Sequence, residues 1–229
     1  MNILNFIKAE LSGWNKYEKI IFPLTITAII LISIAIQDSK IALFSTVCGI
    51  TYTIFAGKGK ISCYIIGAMG TLCYAYLAFK NTLYGNMLLY AGYYLPMEII
   101  GIFQWKKHLK KDKQEIIKTK LHTKERAVYF TITTLFFIIS SVVLKKIGTN
   151  TPILDSFTTV FSILGMLLTV KRCIEQWYVW FTVNLIALIM WIQAYLNGSN
   201  CFATILMWLF YLILAVYFYF SWKKEIENK

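Results

Sequence analysis

The sequence predicts an all-α polytopic membrane protein, and three observations lead to this fold class. Of the 229 residues, 58% are hydrophobic and only 15% are charged, whereas soluble domains carry about a quarter charged residues. The mean hydropathy is +0.61. The apolar residues are grouped in blocks of about 20, which is the length of helix that crosses a bilayer. A chain of this composition cannot cover itself with a solvated surface.

About eight membrane-spanning helices are predicted from these blocks. Before the first of them, the segment MNILNFIKAELSGW is predicted to lie in the interface as an amphipathic helix that ends on an anchoring Trp14. This segment lacks a small-residue cleavage site, so no removable signal peptide is expected. The predicted spans are residues 20–37, 41–56, 61–79, 86–105, 127–144, 154–170, 176–196 and 202–222.

Lysine and arginine are concentrated in the loops on one side of this layout. About 19 of the 23 fall there, so the positive-inside rule places both termini in the cytoplasm of a multi-pass inner or plasma membrane protein. The net charge of +12 then reflects topology, and no nucleic-acid partner is expected. Trp105 and Trp222 each end a span before two lysines, and both are predicted to anchor their helices in the interface.

Two segments of the chain match at a fixed offset. LFSTVCGITYTIFAGK, residues 43–58, aligns with SFTTVFSILGMLLTVK, residues 156–171, and the same offset aligns Tyr64 with Trp177. Spans 2–4 and 6–8 are therefore predicted to form two three-helix bundles in a parallel repeat, with a substrate site at their interface near mid-membrane. The predicted divisions are 1–40 (amphipathic segment and peripheral span), 41–105 (first bundle), 106–153 (basic cytoplasmic loop and linker span) and 154–229 (second bundle and tail).

The seventh span, within EQWYVWFTVNLIALIMW, carries a stripe of polar and aromatic residues. Trp177, Trp180, Asn184 and Trp191 share one helical face. Asn184 lies too deep to reach the interface, so it serves either as a ligand's hydrogen-bond partner or as an interhelical hydrogen bond. Indole faces suit a flat, cationic ring. Interfacial anchoring is the competing interpretation for Trp177 and Trp191.

Glu98, in AGYYLPMEIIGIFQW, is the acidic residue placed squarely inside a predicted span. An acid at this depth is expected to be a counter-charge to a cationic ligand or a proton-coupling carboxylate, unless it only pairs with a polar group of another span. Pro96 is expected to open the helix just before it. Tyr94 shares the face of Glu98, and Gln104 is either part of a gate or interfacial.

No pattern typical of an enzyme is present in the sequence. There is no nucleophile–base pair or metal-ligand spacing, and GKGK at residues 57–60 lacks the flanks of a nucleotide-binding loop. Neither catalytic residues, nor a cofactor, nor a metal is therefore expected. The cysteines lack disulfide or zinc spacing and are predicted to be structural thiols; they are Cys48, Cys63, Cys73, Cys173 and Cys201.

The sequence resembles the PnuC family of vitamin transporters. The resemblance is carried by SGWNKYEK, by YYLPMEIIGIFQWKKH and by VKRCIEQWYVWFTVNLIALIMW, and it extends over nearly the whole chain. It implies a SWEET-like 3+1+3 fold with an extra N-terminal helix. It also implies facilitated diffusion of nicotinamide riboside, an NAD precursor, with cytosolic phosphorylation trapping the product. On this resemblance Trp177, Trp180 and Asn184 are substrate-binding residues.

Other functions stay open at this point. Thiamine is also an aromatic cation, and a transporter of the same fold for thiamine or another aromatic vitamin, with proton coupling through Glu98, is the alternative. Riboflavin is neutral and is less favoured. A membrane enzyme or receptor scaffold lacks support, because no catalytic groups cluster in the sequence. The expected partners are the small-molecule substrate and the lipid bilayer, and a homo-oligomer is left open.

Overall fold

The computed structural model describes residues 10–35, 37, 39–80, 84–110, 115–148, 151–198 and 202–228. Most of the predicted amphipathic helix lies outside these residues, as does Cys201. The chain divides into two compact units, Met1–Ile117 and Lys118–Lys229. The boundary falls inside the predicted basic loop, so each unit takes part of that loop.

The described residues form helices that match the predicted spans, and the all-α membrane fold is confirmed. Seven of these helices are long and apolar enough to cross a membrane, and consecutive shorter helices occupy the position of the predicted fourth span. The helices are α1 (Glu18–Ala35), α2 (Lys40–Gly57), α3 (Ser62–Lys80), α4 (Tyr84–Leu89), α5 (Leu95–Lys106), α6 (Thr123–Ile147), α7 (Pro152–Val170), α8 (Gln176–Leu196) and α9 (Phe202–Glu227).

In the first unit, α1 is held to the end of α2 by polar contacts near its first turn. Asn15 and Glu18 cap the helix start reciprocally, with Asn15 N donating to Glu18 Oε2 at 2.7 Å and Glu18 N donating to Asn15 Oδ1 at 2.8 Å. Lys58 Nζ, just after α2, lies 3.0 Å from Glu18 Oε2. The acid therefore serves both as a helix cap and as an ion-pair partner.

The turn between α2 and α3 is closed by backbone hydrogen bonds around a left-handed glycine. Gly59 has φ +70°, a conformation in which glycine avoids the steric cost of a side chain. Its carbonyl accepts from Ile116 N at 3.0 Å. The bonds within the turn join Lys58 N to Ile54 O (3.0 Å), Gly59 N to Ala56 O (2.9 Å) and Lys60 N to Phe55 O (2.9 Å).

The turn between α7 and α8 in the second unit repeats this pattern at the sequence offset that aligns Lys58 with Lys171. Arg172 has φ +62° in the place of Gly59, and its carbonyl accepts from Thr119 N at 2.9 Å. The bonds within the turn join Lys171 N to Leu167 O (3.0 Å), Arg172 N to Thr169 O (2.9 Å) and Cys173 N to Leu168 O (3.0 Å). Cys173 thus lies in the turn, in the gap between the predicted sixth and seventh spans.

The fourth predicted span is interrupted by a π-helical segment, Tyr90–Tyr94, between α4 and α5. Leu95 N donates to Tyr90 O, a bond across five residues instead of four. Pro96 follows at the start of α5, where its missing N–H removes one donor to the carbonyls of the preceding turn. The helix is therefore irregular just before Glu98, as Pro96 predicts.

The second unit begins with a segment bound to the α7–α8 turn and with the long helix α6. His122 and Glu125 form a capping box at the start of α6, and Gly148 ends it with φ +88°. Within α6 only Thr133 is buried, so nearly the whole helix surface is available to lipid. Helix α6 packs on α7, α7 on α8, and α8 on α9.

Trp105 and Trp222 are both fully buried, and the prediction that they anchor the helices in the interface is wrong. The Trp105 ring packs edge-on to Tyr64, with centroids 4.8 Å apart. The Trp222 ring packs edge-on to Trp177 at 5.6 Å. Each indole therefore points into its own unit. The lysines that follow remain exposed, and only they fit the predicted interfacial position.

Candidate functional site

Glu98 is a buried acid of the first unit, and it lies within the fourth predicted span. Its side chain, on α5, is 5% exposed. Thr71 on α3 donates its hydroxyl to Glu98 Oε1 at 2.9 Å. The second oxygen, Oε2, is buried and has no hydrogen-bond partner among the described residues. A buried carboxylate with an unmatched oxygen is costly, which marks this position as a candidate for function.

Gly67 makes room for this carboxylate. It lies one turn before Thr71 on the same face of α3. A Cβ atom there would be 2.7 Å from Glu98 Oε1 and 2.7 Å from the ring of Tyr52, on α2. These distances are shorter than a Cβ atom normally allows, so any residue other than glycine at position 67 would collide with Glu98 and Tyr52. The absence of a side chain at Gly67 therefore lets α2 and α5 bring a tyrosine ring and an acid to the same point of α3.

Two further residues were predicted to accompany Glu98, and only one lies near it in the helix. Tyr94 is half-buried, one turn before Glu98, and its ring packs edge-on to Tyr90 at 4.9 Å. Gln104 has an exposed side chain, and its backbone carbonyl interacts with His108 Nδ1 at 2.8 Å. The position of Gln104 fits the interfacial interpretation.

Trp180 is held in place within the second unit. Its indole Nε1 donates to Thr169 Oγ1, on α7, at 3.2 Å. Thr169 Oγ1 in turn donates to the carbonyl of Gly165 at 2.8 Å. A Cβ atom at Gly165 would lie 2.9 Å from the Trp180 ring, so the indole packs directly on the backbone of α7. The ring is fixed in orientation before any ligand arrives.

Asn184 follows Trp180 by one turn and is 6% exposed. Among the described residues its side chain has no hydrogen-bond partner, although an amide offers two donors and an acceptor. The interhelical hydrogen bond considered for Asn184 is therefore not formed with the described part of the chain. The side-chain amide of Asn184 is therefore available to a ligand.

The other two members of the predicted stripe differ from this pair. Trp177 is buried, its ring lies 5.3 Å from Phe218 and 5.6 Å from Trp222, and its Nε1 has no partner among the described residues. Trp177 therefore packs in the core of the unit, and its role in substrate binding stays a prediction. Trp191 is 38% exposed and is separated from Asn184 by two helical turns. Trp180 is half-buried and Asn184 is buried, one turn apart on α8, and Trp177 lies one turn before Trp180.

Sequence reasoning missed the residues that position these side chains, namely Thr71, Gly67 and Tyr52 in the first unit and Thr169 and Gly165 in the second. One signal was available. The offset that aligns Tyr64 with Trp177 also aligns Thr71 with Asn184, Gly67 with Trp180 and Tyr52 with Gly165. In the first unit the ring lies on the first helix of the pair (α2) and the glycine on the second (α3). In the second unit the glycine lies on the first helix (α7) and the ring on the second (α8).

Known proteins are similar to this chain over nearly its whole length. The family model described as nicotinamide mononucleotide transporter matches residues 39–224. The nicotinamide riboside transporter PnuC of Neisseria mucosa is 31% identical over 96% of this chain and 86% of that protein. The nicotinamide riboside transporter PnuC of Haemophilus influenzae is 28% identical over 100% of this chain and 99% of that protein.

A solved structure is also similar. The crystal structure of the vitamin B3 transporter PnuC superposes with a TM-score of 0.84 and 29% sequence identity, over 99% of this chain and 99% of that chain. The resemblance to PnuC proteins predicted from the sequence is therefore confirmed. The chain belongs to the nicotinamide mononucleotide transporter family, and it is a membrane transporter and not an enzyme.

Proposed function

We propose that this protein carries nicotinamide riboside across the cell membrane by facilitated diffusion. The observation that carries the proposal is the similarity, over nearly the whole chain, to two proteins named nicotinamide riboside transporters. Neither of them is named for thiamine, so the thiamine alternative is not favoured. The buried polar groups of the two units supply the chemistry that such a substrate needs.

Nicotinamide riboside offers a flat pyridinium cation, a carboxamide and a hydroxyl-rich ribose. The fixed indole of Trp180 can stack on the cationic ring, an interaction of about 0.5–2 kcal/mol. Asn184 has unmatched donors and an acceptor for the carboxamide or the ribose hydroxyls. Glu98 presents a carboxylate whose second oxygen lacks a partner among the described residues, and it can balance the charge of the substrate.

The same turn hydrogen bonds in the two units support a duplicated, SWEET-like arrangement of two helical bundles. The distribution of lysine and arginine supports cytoplasmic termini. Phosphorylation inside the cell would add a dianionic group to the riboside and keep the product from leaving. This trapping supplies the direction of net uptake without ion coupling.

Uptake into liposomes tests the proposal. The purified full-length protein should transport radiolabelled nicotinamide riboside down its gradient without ATP or an ion gradient. Nicotinamide mononucleotide and thiamine are the two comparison substrates, and the mononucleotide is included because the family description names it. Uptake of thiamine or of the mononucleotide in preference to the riboside would overturn the substrate assignment. Dependence on a proton gradient would overturn facilitated diffusion.

A further inference from the structure

A cavity of about 150 Å³ opens at one end of the second unit. It lies where α6 and α8 begin and where α9 ends. Its position is separate from Trp180 and Asn184, which lie deeper along α8. Its charged and polar lining consists of Lys120, Arg126, Glu175, Tyr178, Tyr219 and Lys223, together with Glu227 at the rim.

The acid within the cavity is already neutralised by the protein. Glu175 is almost completely buried, and its Oε1 accepts from Arg126 Nε at 2.9 Å and from Arg126 Nη2 at 2.5 Å. Both carboxylate oxygens also accept from Leu121 N, at 3.3 and 3.2 Å. Glu175 therefore orients Arg126 and leaves little negative potential of its own.

Two lysines of the cavity remain available to an anion. Lys120 is exposed and has no ion-pair partner among the described residues. Lys223 is half exposed, and its amine lies 3.9 Å from Glu227, a loose contact within one helix. With the guanidinium of Arg126, the cavity holds three cations against two carboxylates. The charge balance favours an anionic ligand.

The cavity lies at the level where the apolar surface of the unit ends. One turn from Lys223 on α9, Tyr219 accepts a hydrogen bond from Tyr178 at 2.5 Å. The aromatic side chains of Phe181 and Phe220 next to them are exposed, which is typical of a surface in contact with lipid. A ligand in this cavity can place an anionic group among the lysines and an apolar tail along the helices.

We propose that this cavity binds the phosphate group of an anionic phospholipid. A free phosphate would use only the cations, whereas a phospholipid also covers the exposed aromatic side chains beside them. Lysine and arginine at a membrane surface are attracted to anionic lipids, and each residue raises the affinity roughly fivefold. The inference does not depend on which substrate the protein transports.

Native mass spectrometry of the full-length protein in detergent tests the inference, with phosphatidylglycerol and phosphatidylcholine as the probes. We expect the wild-type protein to retain phosphatidylglycerol preferentially. The double variant Lys120→Gln/Lys223→Gln should bind it roughly 25-fold more weakly, at about fivefold for each lysine. The matched control is Lys106→Gln/Lys107→Gln, because these exposed lysines follow Trp105 as Lys223 follows Trp222. The control should keep at least half of the wild-type affinity.

Three results would overturn the inference. The first is equal binding of the two lipids by the wild-type protein. The second is an equal loss in the double variant and the control, which would indicate general surface charge. The third is displacement of phosphatidylglycerol by an equal concentration of inorganic phosphate or glycerol phosphate, which would indicate a site for soluble anions. The variant Lys120→Arg/Lys223→Arg keeps the charge and should retain binding, which separates lost affinity from misfolding.

Discussion

The α2–α3 turn and the α7–α8 turn have the same backbone hydrogen bonds, yet the helix pairs that they join bury different side chains. In the first pair Tyr52 packs on Gly67. In the second pair Trp180 packs on Gly165, with the ring now contributed by the second helix. Among the described residues, only the first unit adds a buried acid at this level, Glu98. The backbone of a turn is determined by local hydrogen bonds, whereas interior side chains are free to diverge toward a function.

The largest effect is expected when Gly67 of the first unit is replaced by tryptophan, the residue at the aligned position 180 of the second unit. Gly67→Trp should lower stability by ~3 kcal/mol or more, because any side chain there meets Tyr52 and Glu98. We expect little monodisperse protein by size-exclusion chromatography. Adding Tyr52→Gly reproduces the arrangement of the second unit and should recover part of the yield. If Gly67→Trp alone is as stable as the wild type, the packing described for the first unit is wrong.

The aligned pair Thr71 and Asn184 should respond differently to apolar replacement. Asn184→Leu should weaken nicotinamide riboside binding by roughly tenfold in a calorimetric titration while leaving thermal unfolding nearly unchanged, since no described residue uses the amide. Thr71→Val should lower stability by ~1–3 kcal/mol, because Glu98 Oε1 loses its donor.

A large loss of stability in Asn184→Leu with unchanged affinity would mean that Asn184 has only a structural role. Ile189→Val is the control, because this exposed side chain of α8 is not one of the predicted substrate-binding residues and should bind like the wild type.

Removing the charge of Glu98 should separate substrate recognition from proton coupling. Glu98→Gln keeps an acceptor for Thr71 but removes the counter-charge, so the dissociation constant for the cationic riboside should rise severalfold to tenfold. Uptake by the wild type should not respond to an imposed proton gradient. A gradient-driven uptake that disappears in Glu98→Gln would instead support the proton-coupled mechanism.

The two turns differ in how they accommodate a left-handed residue. Gly59→Ala should lower stability by ~1–2 kcal/mol in thermal unfolding, since it adds a Cβ at φ +70° and only 2.9 Å from Ile116. Arg172→Ala is the matched control, because residue 172 already has a Cβ in this conformation and gains no backbone strain. Equal losses in both variants would contradict the role assigned to glycine.

The smallest expected effect concerns Lys171, which directly follows α7. Its amine donates to Tyr129 Oη at 2.5 Å, and this hydrogen bond raises the pKa of Lys171. A raised pKa in the folded state gives stability that is present below the usual lysine pKa of ~10.4 and lost as the pH rises through the folded value. Tyr129→Phe should therefore lower stability by under ~1 kcal/mol at pH 8, and the difference should shrink as the pH rises through the raised pKa of Lys171. A difference that is constant with pH would point to lost packing instead.

The sequence predicts the spans well, because a helix in lipid needs a continuous apolar block whatever its neighbours are. It also predicts the irregular helix before Glu98, since Pro96 cannot donate to the helical ladder. The role of Trp105 was not predictable in this way. A tryptophan before two lysines looks the same whether its ring lies in the interface or against Tyr64, and only the packing of helices decides between them.

Long-range partners are the other part that the sequence could not supply. Thr71 is one of many threonines in apolar spans, and its hydrogen bond to Glu98 depends on how closely α3 and α5 approach. That approach in turn depends on Gly67, whose contribution is the space that it leaves empty. Trp180 and Asn184 were identified because large or polar residues stand out in an apolar helix, whereas Gly165 beneath the indole does not.

The segment that joins the two units also has a consequence for synthesis. Ile116 N binds the carbonyl of Gly59, which has already left the ribosome when Ile116 is added. Thr119, only three residues later, binds the carbonyl of Arg172 and must wait until more than fifty further residues are made. The hydrogen bonds of the first turn can therefore be completed while the second is still being translated. In the order of translation, the N-terminal unit can mature first and the C-terminal unit follows.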